Sequence, residues 1–371
     1  MTVNPTQELA QDYRVLFVSD LAQTKGHIYR VLHSVAALQN GGVGAEWVSS
    51  AEATDEKVKQ ANIVIVFRGM WNGVLNDLYT RCRENGIPIG FDLDDLIFDP
   101  DVLTEKHFDF FRLMTDDVRK DWLENRIGMY RQAVLESDFG IVSTSPLAAA
   151  VENLQKPAYV LANGFGNEMA AAAEKAIVEF ADKPSSRDGR IRLGYASGTP
   201  SHQKDFATIA PALSAIMDES PQIILTIVGH LNLKEFPVLD RFTGRIETRP
   251  LVPHDQLLRE YARFDLNLAP LEMGNPFCEA KSALKFVEAA LVSVPTIAAA
   301  TLPYQNAIQD GETGWTVQRP RDWQVRIGSL VDDAAGRQRM GRNARQHVQN
   351  TLGPEAKFSD LKRILTSISP T

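Results

Sequence analysis

The stretch Asn275–Asp310, NPFCEAKSALKFVEAALVSVPTIAAATLPYQNAIQD, decides how the chain is read, because a helix runs there into a buried strand. Asn275 is a good N-cap and Pro276 a good first helical residue, so a helix is predicted to start here. Lys281, Lys285 and Glu288 then recur at i, i+4 and i+7, one face of a 3.6-residue helix. Ala283, Leu284, Phe286, Val287, Ala290 and Leu291 fill the remaining positions. A helix this apolar is buried, so its charged stripe is expected to face a cleft rather than open water. Two ammonium groups and a carboxylate match a nucleotide diphosphate, with cations for phosphate oxygens and a carboxylate for two ribose hydroxyls. The other reading is an amphipathic helix with a solvated Lys–Glu pair, worth only ~0.3–0.5 kcal/mol. The helix alone leaves both open.

The residues that follow narrow the choice. Glu288-Ala-Ala-Leu-Val-Ser-Val-Pro295, the strand Thr296–Ala299 and then Asp310-Gly-Glu-Thr-Gly314 come in the order of the nucleotide-sugar half of GT-B glycosyltransferases of family 4, which this stretch resembles. The resemblance implies that Glu288 binds the donor ribose. It also implies a second Glu, on the donor sugar, eight residues earlier. That position is Ala280, and the nearest carboxylate is Glu279, one residue or about 100° of helix rotation away.

Strand-like and helical runs alternate throughout, the pattern of parallel sheets covered by helices. Arg14–Ser19, Asn62–Phe67, Ile87–Phe91, Phe139–Ser143 and Ala158–Leu161 read as strands of a first α/β unit. Helices are expected over Ile28–Gln39, Asn72–Asn85 and Asp116–Glu136. A second series begins with Ile191–Ala196 and continues through a helix at Phe206–Met217 and strands at Ile223–Val228 and Asp265–Ala269. Residues 1–180 are thus assigned to an N-terminal Rossmann-like acceptor domain and 181–190, polar and turn-rich, to a linker. Residues 191–352 form a donor domain, and 353–371 a C-terminal helix that can pack back on the first unit. Two Rossmann-like domains facing each other across a cleft are the GT-B layout, with the ligand at the strand C-termini.

The loop after the first strand of the second unit holds Ser197, Gly198, Thr199, Ser201, His202 and Lys204. Small residues there let backbone N–H groups approach an anion. The resemblance places an Arg and a Lys in this loop, on the diphosphate. Lys204 falls at the Lys position, no Arg is present, and His202 with the hydroxyls is expected to substitute. In the first unit, Asp92-Leu-Asp94-Asp95 ends a strand where the family keeps a His. An acceptor role for Asp94 and Asp95, an N-cap and a metal site are all open readings, though the spacing is not that of an EF-hand. Arg68 and Trp71 follow another strand and suit a sugar or a phosphate; a surface salt bridge is the alternative.

The net charge of −8 argues against nucleic acid as a partner. Cys82 and Cys278 are the only cysteines, one in each half, which points to reduced thiols in a cytoplasmic protein. The opening MTVNPTQELAQDY lacks the apolar segment of a signal peptide, and no apolar run is long enough to span a bilayer, which leaves peripheral attachment to the inner face of a membrane open. The seven histidines show no paired spacing for zinc.

The resemblance implies a retaining hexosyltransferase of surface polysaccharide biosynthesis, without cofactor or metal. Its donor is a nucleotide diphosphate sugar and its acceptor a glycan or lipid-linked glycan. Lys204, Lys281 and Asp94 are the expected catalytic residues. Ser197, Gly198, Thr199, His202, Glu279, Ser282, Lys285 and Glu288 are expected on the donor, and Asp95, Arg68 and Trp71 on the acceptor. A non-hydrolysing nucleotide-sugar epimerase and a degenerate sugar-nucleotide-binding scaffold are the alternatives.

Overall fold

The computed structural model describes residues 9, 12–22, 24–181 and 188–368. Among them are two six-stranded parallel sheets. The first is built from β1 (Arg14–Val18), β2 (Gly44–Val48), β3 (Ile63–Phe67), β4 (Ile89–Leu93), β5 (Phe139–Val142) and β6 (Ala158–Val160), in the order β2-β1-β3-β4-β5-β6. The second holds β7 (Ile191–Ser197), β8 (Ile223–Gly229), β9 (Ile246–Arg249), β10 (Leu266–Ala269), β11 (Thr296–Ala299) and β12 (Gly314–Val317), ordered β12-β11-β10-β7-β8-β9. Central strands such as Ile63-Val-Ile-Val-Phe67 are buried along their whole length, as sheets covered on both faces require. The edge strands β2 and β9 are half exposed and carry no comparable apolar run, which is why the sequence did not announce them. Strand order reverses between β1 and β3 in one sheet and between β7 and β10 in the other. Each reversal opens a crevice at the strand C-termini, the place where such sheets bind ligands.

The helix predicted to run unbroken from Asn275 is two helices, Pro276–Glu279 and Leu284–Leu291. Asn275 does cap the first, accepting from the Phe277 N–H at 3.0 Å. The break is held by the other half of the molecule. Thr144 Oγ1 donates to the Ala280 carbonyl at 2.9 Å, and Asn163 Nδ2 donates to Ser282 Oγ at 3.0 Å. The helix expected at Phe206–Met217 is likewise split, into Gln203–Ala207 and Ala210–Glu219, because Pro211 lacks an N–H and suits a new first turn.

The chain crosses between halves before the predicted linker, of which residues 182–187 lie outside the described residues. The helix Asn167–Glu179 already packs on the helix His254–Tyr261 of the second half, with Glu179 paired to Arg259. At the other end Pro354–Ile368 returns to the first half. Its Leu361, Ile364 and Leu365 join Val15, Phe17 and Leu38 in one core. No helix among the described residues is long and apolar enough to cross a membrane.

Beneath the first sheet's C-terminal edge Arg30 is 0% exposed. It binds Asp92 through Nε–Oδ1 (2.7 Å) and Nη2–Oδ2 (3.0 Å), and its Nη1 donates to the Leu161 carbonyl (2.5 Å) and to Asn163 Oδ1 (3.0 Å). Asp92 was expected to face the cleft with Asp94 and Asp95. It is instead an interior counterion, because Arg30 would otherwise be a buried charge without a partner. Removing one member of such a pair strands the other, so Arg30→Met is expected to cost about 3–5 kcal/mol in urea unfolding. Arg30→Met with Asp92→Leu should recover part of that loss; an unchanged midpoint in the single variant would contradict this account.

Candidate functional site

The two crevices face each other across one cavity of about 580 Å³. Its second-half wall begins with the loop after β7, where Ser197 Oγ donates to the Thr199 carbonyl (2.9 Å) and the Thr199 and Ser201 hydroxyls pair at 2.6 Å. Behind this loop Asp205, 3% exposed, acts as a hub. Its Oδ2 lies 2.8 Å from His202 Nδ1 and 3.4 Å from Lys281 Nζ. Its Oδ1 accepts from the Glu272 N–H at 3.0 Å. Burial opposes the Asp205 charge, but Lys281, His202 and the Glu272 N–H outweigh it and hold the carboxyl well below the usual range. Reciprocally, burial works against the Lys281 ammonium and Asp205 more than restores it. Burial, then Lys281 and Lys285, lower His202 to about 4 against the opposing pull of Asp205. Because Asp205 is ionised, Nδ1 carries the imidazole proton and Nε2 is left as an acceptor near neutral pH. That suits a sugar hydroxyl better than the phosphate contact expected of this histidine.

Lys285 and Glu288 lie one turn apart on the helix Leu284–Leu291, and both line the cavity. Burial lowers Lys285 to about 8, with Lys281 adding to the effect and Glu288 opposing it. Both oxygens of Glu288 accept from tyrosines: Tyr29 of the first half at 2.7 Å and Tyr261 at 2.9 Å. The Tyr29 oxygen also lies 2.9 Å from His254 Nε2, and since its own proton goes to Glu288 it accepts there. Lys281 and Ser282 reach the same cavity from the break between the two short helices. The face inferred for a continuous helix is therefore assembled from two segments.

The first-half wall carries Arg68, Asp94 and Asp95. Arg68 adopts a left-handed backbone (φ 47°), uncommon for a residue with a side chain, and its guanidinium binds Asp94 at 2.5 Å and also Asp95. Burial pushes the Asp94 carboxyl up, Arg68 pulls it down and Asp95 pushes it up again, leaving it raised. Gly26 makes room for this carboxylate, since a Cβ there would lie 3.0 Å from Asp94 Oδ2 and 2.9 Å from Phe67 Cζ. No helix starts directly after Asp95, so the N-cap reading falls, and no cluster of His, Cys, Asp and Glu suited to a metal occurs among the described residues.

Three expected site residues lie elsewhere. Lys204 donates to the Lys106 carbonyl at 2.6 Å and belongs to a seam with the first half's 105–114 segment, beside the Gln203 N–H on Asp109 Oδ2 (2.6 Å) and Arg112 on Glu235 (3.0 Å). Glu279 Oε1 accepts from the Gly274 N–H at 2.9 Å and closes a turn whose Gly274 has φ +79°. Trp71 packs edge-on against Tyr79, ring centres 5.1 Å apart. The cavity wall also includes Lys25, Tyr29, Tyr261 and Tyr304, which were not singled out in the sequence. Lys25 and Tyr29 stand four apart after β1, which is a signal. Asp205 stands three residues after His202, a local signal, but its links to Lys281 and Cys278 span more than seventy positions and left no trace in the sequence.

Residues 209–361 match the family model described as glycosyl transferase-like. No curated protein matches the sequence significantly. Solved structures similar to this one include Alr3699/HepE of Anabaena in complex with UDP-glucose, at 14% identity over 96% of this chain and 100% of that one, TM-score 0.62. A glycosyltransferase from Rickettsia africae is similar at 12% identity over 96% and 98%, TM-score 0.64. The sucrose-phosphate synthase of Thermosynechococcus elongatus is similar at 14% identity over 96% and 100%, TM-score 0.60. At these identities the likeness shows the fold, and the fold is GT-B.

The hub makes a prediction of its own. Followed by NMR against pH, the His202 imidazole should titrate near 4 and stay neutral above about pH 5.5. A midpoint at the ordinary value of 6.5 would mean that burial and the two lysines do not outweigh Asp205.

Proposed function

We propose that this protein is a glycosyltransferase that moves a sugar from a nucleoside diphosphate donor to a hydroxyl of a glycan or lipid-linked glycan, with retention, in surface polysaccharide assembly. The observation that carries this reading is that Lys285 and Glu288, on one helix of the second-half crevice, share one cavity with Arg68, Asp94 and Asp95 of the first half. Lys281 and Lys285 supply charge for the diphosphate. Glu288 keeps lone-pair capacity for ribose hydroxyls even while it holds two tyrosines. As the glycosidic bond breaks, negative charge grows on the leaving phosphate, and fixed ammonium groups in a desolvated pocket stabilise that charge more than they stabilise bound donor. Two lysines can meet this need without a metal ion. Asp94, its carboxyl raised and lining the cavity, is assigned to ordering the acceptor hydroxyl. In this reading the departing phosphate itself takes the acceptor proton on the same face. HepE of Anabaena, structurally similar, has been solved with UDP-glucose, which supports a uridine nucleotide as the first donor to try.

One observation favours a second reading. Ala280 stands where the resemblance implies a sugar-binding Glu, and Glu279 is engaged on Gly274. A binding scaffold without turnover would tolerate that loss. A donor panel with product analysis separates the two: transfer releases nucleoside diphosphate and extends a glycan, and a scaffold releases none. Activity should persist in EDTA; loss restored by Mg²⁺ would contradict the metal-free assignment.

Two further outcomes are expected. Glu288→Ala should weaken donor binding by about 1.5–3 kcal/mol in calorimetry with the fold intact, and unchanged affinity would remove Glu288 from the site. Because the free protein's Lys285 loses its proton near 8, nucleoside diphosphate affinity should fall as pH rises through that value. Lys285→Met should bind weakly throughout and lose the step. A flat wild-type profile between about pH 7 and pH 9.5 would sink this role for Lys285.

A further inference from the structure

We propose that Lys25, from the first half, binds the diphosphate held by the second half, so that the site gains its full charge only when the two halves are closed on the ligand. This rests on the glycosyl-transfer reading above and names a residue that reading does not use. Lys25 opens the first helix after β1, at the strand-order reversal of the first sheet, and lines the shared cavity. Its ammonium lies against the small-residue loop after β7: a Cβ built on Gly198 would be 2.9 Å from Lys25 Nζ and 3.6 Å from Cε. The missing side chain at Gly198 is thus what lets a cation from one half reach the anion-binding loop of the other.

Two further observations support the placement. Tyr29 stands one turn along the same helical stretch, 25–40, and donates across the cleft to Glu288 at 2.7 Å, which holds this face of the helix toward the second half. A π-helical segment, Ile28–Leu32, begins within that turn, a local irregularity that often marks functional sites. Charge balance is the other argument. Lys281 is neutralised by Asp205, and Arg68 by Asp94 and Asp95. Lys25 has no ion pair among the described residues, and its charge bears on Lys285 and on His254. Like charges gathered in a cavity without a counterion disfavour one another, and a polyanion between them reverses the sign. The loop after β7 holds no Arg of its own between Ser197 and Lys204, and Lys204 faces away.

The test is calorimetry on the full chain with UDP, GDP and ADP, with the nucleoside of whichever diphosphate binds, and with inorganic pyrophosphate. Lys25→Met should bind the diphosphate about tenfold more weakly, the scale of one charge-assisted hydrogen bond, and the nucleoside unchanged. Lys25→Arg should bind nearly as wild type does. Equal diphosphate binding by Lys25→Met, or an equal loss for nucleoside and diphosphate, would overturn the assignment. If wild type binds no nucleotide yet binds pyrophosphate in a Lys25-dependent way, the glycosyl-transfer reading fails and the role of Lys25 stands. Wild type that binds neither nucleotide nor pyrophosphate overturns both.

Discussion

Glu288 takes a hydroxyl hydrogen bond from each half of the molecule, and the geometry of the cleft depends on that shared carboxylate. Tyr29 reaches it from the helical stretch after β1, and Tyr261 from the helix His254–Tyr261. All three side chains are buried along the cavity wall, and leaving one hydroxyl unpaired would cost about 1–3 kcal/mol. Burial and the neighbouring carboxylate push both phenols far above their usual range, so they remain donors. The interaction therefore joins the two crevices in their closed arrangement while leaving lone-pair capacity on the carboxylate for a ligand.

Around that link the charges are sorted by wall. The second half concentrates ammonium groups, with Asp205 placed behind Lys281 rather than in the cavity. The first half presents one guanidinium held by two carboxylates, a cluster that suits hydroxyl donors better than anions, with Lys25 set apart against the loop after β7. A molecule with a diphosphate at one end and a sugar at the other is complementary to that division. The seam of the 105–114 segment with Gln203, Lys204 and Asn275 braces the loop after β7 from the first half, which gives Lys204 a use although it does not face the cavity.

The central strands and the helix carrying Lys285 and Glu288 were legible because their signals are local: continuous apolar runs and a repeat of charge at helical spacing, while the cap followed by proline marks the short helix before it. The edge strands β2 and β9 were not, since a half-exposed edge needs no apolar run. Lys285, Glu288, Asp94, Asp95 and Arg68 were placed in the cleft by their positions at helix faces and strand ends, and the cavity contains them. Glu279 and Lys204 satisfied the same local criteria and lie outside it. Glu279, already out of register with Glu288, closes a turn with Gly274, and the break at Ala280–Ala283 is held by Thr144 and Asn163, remote in sequence. Asp92 shares the strand-end signal of Asp94, yet belongs to Arg30.

The sequence by itself determined two parallel α/β units, their order along the chain and the helix that carries the cation and the carboxylate. Periodicity, caps and burial are properties of neighbouring residues, so one segment at a time suffices to read them. Tertiary structure alone decided which charges are spent on each other. Arg30 with Asp92, Asp205 with Lys281, and Tyr29 with Glu288 are all long-range pairings. A buried ionisable group must find a partner somewhere in the folded chain, and which one it finds depends on a geometry that no local pattern encodes.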